Sequence, residues 1–271
     1  MRPVPWTRKL LLLIALAAAP VIAAAVPSTA TVGAGPSRAH WMRIESLIET
    51  DYFQQNAAAL RGLAATLGDG GARTPGAVAG SGGGKWRSYY GALLAYRLAL
   101  LSHNDLARAW PYTDRCVDQL DRVLVIDTGS AEAMALQSAC LALQSRLDPW
   151  RSPLAAPLSL MRIDKALRLA PDNPRVLLLG ALAAGNRPRL FGGDARQEFS
   201  MMRRAVLAFE RQSGQPRGLP GWGAADAFTD LAQEYLLRGN AVAARNVLER
   251  ALLVAPDFSQ ARQLMAEIVS G

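Results

Sequence analysis

Residues 225–258 carry a spacing that leaves few folds open. Phe228, Leu231, Ala232 and Tyr235 recur at helical intervals, Gly239-Asn240 interrupts them, and Ala244, Leu248 and Ala251 resume the period before Pro256-Asp257. Each position has a physical task. A helix with Leu231, Ala232 and Tyr235 on one face must bury that face. Gly239-Asn240 suits a turn tight enough to send the chain straight back, and Pro256 stops the second helix. Ala232 and Ala244 are small where the two helices would cross closely, and Tyr235 and Leu248 would fill the space beside that crossing. A single hairpin of this kind cannot cover its own outer faces, so the pattern calls for neighbours built alike.

The rest of the chain supplies them. The run from Asp121 to Ala133 has the form of a junction between two such hairpins, with Thr128 where a proline would stand. The run from Asp164 through Pro171-Asp172-Asn173 matches a second-helix ending, and Leu179-Gly180 provides the next leucine–small pair. Gly193-Asp194 opens another second helix that ends near Arg204-Ala205-Val206. Glu198 occupies a position that favours a small residue, which predicts a looser crossing there. Composition agrees: Ala and Leu dominate the 51% hydrophobic content of the 271 residues, and Val, Ile and aromatics are sparse, which favours helices over strands. In their regular order these segments resemble the tetratricopeptide repeat (TPR) family. The resemblance implies an all-α fold, a right-handed superhelical solenoid of antiparallel helix pairs. About four degenerate repeats cover 85–256, and residues 257–271 form a C-terminal capping helix.

The N-terminal portion reads differently. Arg2, Arg8 and Lys9 precede an apolar run from Leu10 to Ala19, and Ala23 and Ala25 offer a small-x-small exit. These are the parts of a secretory signal peptide over 1–25, implying a periplasmic or secreted protein after cleavage. The competing reading is an inner-membrane anchor, although Leu10–Val26 is short for a span and contains Pro20. Residues 26–37 read as a linker, and 38–67 as one N-terminal helix bearing Trp41, Ile44, Leu47, Ile48, Tyr52, Leu60 and Leu63. Residues 68–84 hold eight of the 23 glycines and are expected to be a flexible segment. The N-terminal helix would either cap the first repeat or lie in the groove of the array.

Chemistry-bearing patterns are scarce. The formal charge is +8, or +5 without Arg2, Arg8 and Lys9, and the arginines are interspersed with Asp and Glu instead of forming a basic patch. No nucleic-acid partner is expected. His40 and His103 are the only imidazoles, and neither sits in a nucleophile or zinc-ligand pattern. No cofactor, metal or enzymatic activity is expected, and an enzyme is kept only as a rival reading. The groove-facing positions are expected to be Glu132, Ala135, Ala139 and Ala142, then Leu177, Ala181 and Ala184, then Asp226, Thr229 and Gln233. They lack the Lys and Asn with which TPR clamps hold acidic tails.

The binding surface is expected instead along one edge, in connections at about 102–111, 148–157 and 186–193. These contain Trp110, Trp150, Arg151, Arg187, Arg189 and Phe191. Such residues concentrate contact area and bidentate hydrogen bonding. Two alternatives stand beside this: the aromatics seal helix ends, or Asn104-Asp105 starts a long helix kinked at Pro111. Cys116 and Cys140 lie 12 residues either side of Thr128, so two helices leaving that turn bring them to one level. They would form a disulfide or remain two small buried residues. The expected function is an exported scaffold that binds a protein or peptide partner in the bacterial cell envelope. The turn from Phe191 to Asp194 resembles a feature of the TPR-containing T components of TRAP transporters, which implies a solute-transport component with a small-molecule ligand as the alternative.

Overall fold

The computed structural model describes residues 36–72, 82–148, 150, 153–186, 194–216 and 218–270. Among them are eleven helices and no strand: α1 (Arg38–Phe53), α2 (Ala57–Ala72), α3 (Gly82–Leu101), α4 (Leu106–Ile126), α5 (Ala131–Leu147), α6 (Ala155–Leu169), α7 (Pro174–Asn186), α8 (Ala195–Ser213), α9 (Ala224–Leu237), α10 (Ala241–Val254) and α11 (Ser259–Ser270). Four antiparallel pairs, α3/α4, α5/α6, α7/α8 and α9/α10, stack in chain order into an all-α solenoid.

The two helices of each pair are differently made. In α3, α5 and α7 apolar residues point nearly all round, and Ala92–Ala99, Ala133–Ser138 and Pro174–Ala181 are buried without a break. A helix of that kind is held on every side by neighbours. The second helices α4 and α8 bury a single stripe, in α4 Ala109, Thr113, Cys116, Leu120 and Val123. The crossings are close where the residues are small. Ala232 and Ala244 are fully buried, and a Cβ on Gly180 would lie 2.6 Å from Met201 Cε. In the second pair Ser138 and Ser159 do the same work, each hydroxyl donating to the other's carbonyl at 2.8 and 2.9 Å. Glu198 does not loosen its crossing, because Gly185 faces it: a Cβ there would lie 2.1 Å from its carboxylate.

Cys116 of α4 and Cys140 of α5 form a disulfide, with Cα atoms 6.3 Å apart. The bridge ties an outer helix to the inner helix of the next pair.

Two boundaries differ from expectation. The single helix expected over 38–67 is two helices. Gln55 takes a positive φ of 56°, and Asn56 Oδ1 accepts from the Ala59 amide to start α2. Asn56 is an N-cap residue inside an apolar period, and the cap overrides the period. The Gly-rich stretch is helical at both ends, in α2 to Ala72 and in α3 from Gly82. Tertiary packing outweighs the glycine entropy there: Gly83 approaches Pro36 so closely that a Cβ would lie 3.0 Å from its ring, and Arg87 Nη1 donates to the Leu67 carbonyl.

The two N-terminal helices divide the roles that sequence left open. α2 covers α3 of the first pair. α1 packs on α3 and reaches across to the far end of the array. Ser259 Oγ donates to the Phe53 carbonyl at 2.8 Å, Gln54 Nε2 donates to Asp257, and the Phe53 and Phe258 rings stand 4.3 Å apart. One aromatic pair of that kind is worth about 1 kcal/mol beyond its buried area. The first pair and the last are thereby joined through α1.

Candidate binding site

The join is made with charge. Arg97 stands within the apolar run of α3 and is only 2% exposed. Its Nε and Nη2 donate to Glu49 of α1 at 2.8–3.0 Å, and Nη1 and Nη2 donate to Asp226 of α9 at 2.8 and 2.7 Å. The guanidinium lies 4.0 Å from the Tyr52 ring centroid and 5.5 Å from that of Trp222. One cation therefore ties three helices, each through a bidentate pair or an aromatic face. Burial, with the nearby Asp226 charge adding to it, lifts the Glu49 carboxyl above the usual range despite Arg97.

A strap between α8 and α9 completes the join. Glu45 of α1 accepts from the Tyr90 hydroxyl and from the Gly221 amide, both at 2.8 Å. A Cβ on Gly221 would meet the same carboxylate at 2.8 Å, and Gly223 sits at φ 100°, so the strap depends on both glycines. Trp222 Nε1 donates to the Tyr89 hydroxyl at 3.0 Å. The Leu219–Pro220 bond is cis. Arg175, also buried, joins the same strap to the groove: it donates to Glu132 at 2.8 Å and, through Nη1, to the Trp222 carbonyl.

With α1 and the strap in place, the groove keeps a cleft of about 220 Å³. Its floor is Ala139, Ala142 and Leu143 of α5 with Leu178, Leu182 and Ala183 of α7. Its walls are Tyr52, Tyr96 and Trp222, and Asp226 and Asp230 of α9 face into it. Asp230 makes no hydrogen bond or ion pair among the described residues. Burial, then the neighbouring Asp226 charge, pushes its carboxyl up to about 8, with Arg97 opposing. Burial pushes Tyr96 up to about 12. Arg146 is exposed at the mouth beside Asn186.

Of the groove-facing positions expected from sequence, Ala139, Ala142 and Asp226 line the cleft and the others do not. Ala135, Leu177, Ala181 and Thr229 are buried in contacts between helices, and Glu132 is engaged by Arg175 and Asn173. The lining runs through positions 139, 142, 143, 178, 182, 183, 226 and 230. On a helix a one-residue shift turns the face by about 100°, and α5 and α7 are apolar on every side, so no stripe marked the right face.

The expected edge is partly different too. The connection at 102–111 is a short turn. Asp105 caps α4, which begins at Leu106 and carries Pro111 inside it. Trp110 is therefore a helical residue, buried at 7% exposure, and of the two readings the helix starting after Asn104-Asp105 is the one that forms. Trp150 is 94% exposed. Leu154, Leu158 and Met161 follow it at intervals of four, four and three, and all are exposed. Leu158 and Met161 lie on the side of α6 away from its buried Ala155, Ser159, Ile163 and Ala166, and Trp150 and Leu154 precede the helix. Arg151, Arg187, Arg189 and Phe191 lie outside the described residues. Sequence reasoning missed Arg97, Arg175, Tyr52, Trp222 and Asp230. A lone arginine in an apolar helical run was the available signal for the first, since a buried charge needs a partner.

No family model matches the chain, and no curated protein matches it. Solved structures do. The HusA haemophore from Porphyromonas gingivalis is similar at a TM-score of 0.59 and 21% identity, over 75% of this chain and 96% of that one. A thermophilic TPR protein from Thermus thermophilus is similar at a TM-score of 0.53 and 13% identity, over 87% of this chain and 100% of that one. At these identities the likeness is one of fold: a TPR-like helical solenoid.

Proposed function

We propose that this protein is an exported, non-catalytic TPR scaffold that binds a protein partner in the bacterial cell envelope. The observation that carries the reading is the stripe Trp150, Leu154, Leu158 and Met161. Leu158 and Met161 are exposed on α6, and the exposed Leu154 and Trp150 precede that helix, so large apolar side chains meet solvent along this edge. Contiguous exposed apolar surface of this kind marks interaction sites, and tryptophan is enriched among their hot spots. Arg162, Lys165 and Arg168 surround it on α6, which suits a partner whose apolar anchor has acidic flanks. Fold likeness to a TPR protein supports a scaffold, and likeness to a haemophore is compatible with work outside the cytoplasm. The charged head and apolar run that support export lie outside the described residues. No helix among the described residues is long and apolar enough to cross a membrane.

A solute-carrying component is the second reading. The cleft favours it, because α1 leaves room for something far smaller than a helix, and one structural neighbour is a haemophore. Affinity capture from envelope extracts, followed by identification of both proteins and copurifying small molecules, separates the two. For the scaffold, Met161→Glu with Trp150→Ser should reduce capture of a specific protein at least tenfold. Undiminished capture by that variant would sink the assignment to α6.

A further inference from the structure

We propose that the cleft between α1, the inner helices and the strap binds a small ligand carrying a primary ammonium on a short aliphatic body, with Asp230 receiving the ammonium. This rests on different residues from the protein-binding stripe.

The charges decide the sign of the ligand. Arg97 is the buried cation of the cleft, and its Nε, Nη1 and Nη2 all donate to Glu49 or Asp226. Glu49 and Asp226 share the one guanidinium, and Asp230 beside them becomes an anion when an ammonium displaces its proton. An anion would meet a guanidinium already held between two carboxylates, whereas a cation would find an acceptor without a partner. The walls agree, since the Tyr96 ring and the indole of Trp222 can face a cation, and aromatic faces attract one most when water is excluded. No group of three metal-ligating side chains forms among the described residues, so the carboxylates do not make an ion cage.

The floor decides the body. Ala139, Ala142, Leu178 and Leu182 offer methyl and methylene contacts and no hydrogen-bonding side chain. A cleft of 220 Å³ has room for about seven waters at liquid density, which matches an aliphatic chain of four or five carbons. The ammonium could belong to a free alkyl amine or diamine, or to a lysine side chain presented by another protein.

Several charges see the ammonium. Asp226 and Glu234 lie on α9 with Asp230, Arg97 on α3, Glu49 on α1, Glu198 on α8 and Arg146 on α5 at the mouth. Because burial holds the empty Asp230 protonated near neutrality, docking an ammonium should expel that proton. Affinity should therefore rise with pH up to about 8.

The test is isothermal titration of the full-length protein with butylamine, 1,4-diaminobutane, lysine blocked at both backbone ends, butyrate and butanol. At least one amine should bind, and butyrate and butanol should be at least tenfold weaker. Binding in two buffers of different ionisation enthalpy should show release of a proton. Asp230→Asn should weaken amine binding at least tenfold, and Ala142→Met, which fills the floor, should do the same. Diamine binding without blocked lysine assigns a free solute, and binding of blocked lysine assigns a presented side chain. Failure of every amine to bind, equal binding of butyrate, or amine binding unchanged in Asp230→Asn would each overturn the proposal. Met161→Glu should leave amine binding intact, so loss of protein capture and loss of the cleft are separable.

Discussion

The inner cleft and the outer face of α6 are furnished the wrong way round for a simple globular protein. Inside, Arg97, Glu49, Asp226 and Asp230 crowd an apolar groove. Outside, Trp150, Leu154, Leu158 and Met161 face solvent. The inner charges hold separate segments together, because a buried guanidinium is satisfied only by partners that must come to it. The outer apolar residues belong to the face proposed to meet a partner. A buried cation thus joins segments of one molecule, whereas an exposed apolar edge is open to another.

The largest effect should come from breaking the inner join. Arg97→Met leaves Glu49 and Asp226 facing each other without a cation and should cost about 3–5 kcal/mol, read as a lower urea midpoint. Limited proteolysis should then cut between α1 and α2, around Gln54–Asn56, if the contrast with α6 is real. Cleavage no faster than in the parent would show that α1 does not depend on the ion pairs.

Next is the disulfide. It closes a 24-residue separation between an outer helix and an inner one. Cys116→Ala with Cys140→Ala should lower stability by about 3 kcal/mol, without altering either protein capture or amine binding. A loss of capture would tie the outer face to the packing of the second pair.

The pH dependence of stability follows from Asp230. The Asp230 carboxyl titrates near 4 when unfolded and at about 8 when folded. Between those values the folded protein holds a proton that the unfolded chain lacks, so stability should fall as pH rises from about 4 to about 8. Asp230→Asn should flatten that slope and raise the melting temperature at pH 8. A parent protein most stable at pH 8 would contradict the environment assigned to Asp230. Smallest of all, Met161→Glu should change stability by less than about 0.5 kcal/mol, since nothing in the chain packs on it.

The helix pairs were legible because their small residues, turns and stop signals recur locally. Ala232, Gly239, Ala244 and Pro256 mean the same thing wherever they are read. The join was not, because it depends on residues far apart in the chain. Arg97 and Asp226 are 129 residues apart, and Glu45 and Gly221 are 176. Neither α1 nor the strap has a spacing that announces its partner. Asn56 was readable in principle as a cap, but the apolar period across it was the louder signal. At 102–111 the sequence left a loop and a helix starting at Asn104-Asp105 both open; the helix forms, and Pro111 removes only one backbone donor, whose missing bond falls on the carbonyl of the exposed Ala107.

An open stack of repeats melts like a row of dominoes, each unit answering only to the next. Here α1 grips both ends of the row. Ser259 bonds to the Phe53 carbonyl across 206 residues, so fraying of the last pair also loosens the first. Unfolding should therefore be a single cooperative transition, with the calorimetric and van't Hoff enthalpies equal. The direction of synthesis adds a further consequence: α1 emerges first and finds its far partners last. Until α9, the strap and α11 have been made, its Trp41, Ile48 and Phe53 have only part of their resting place.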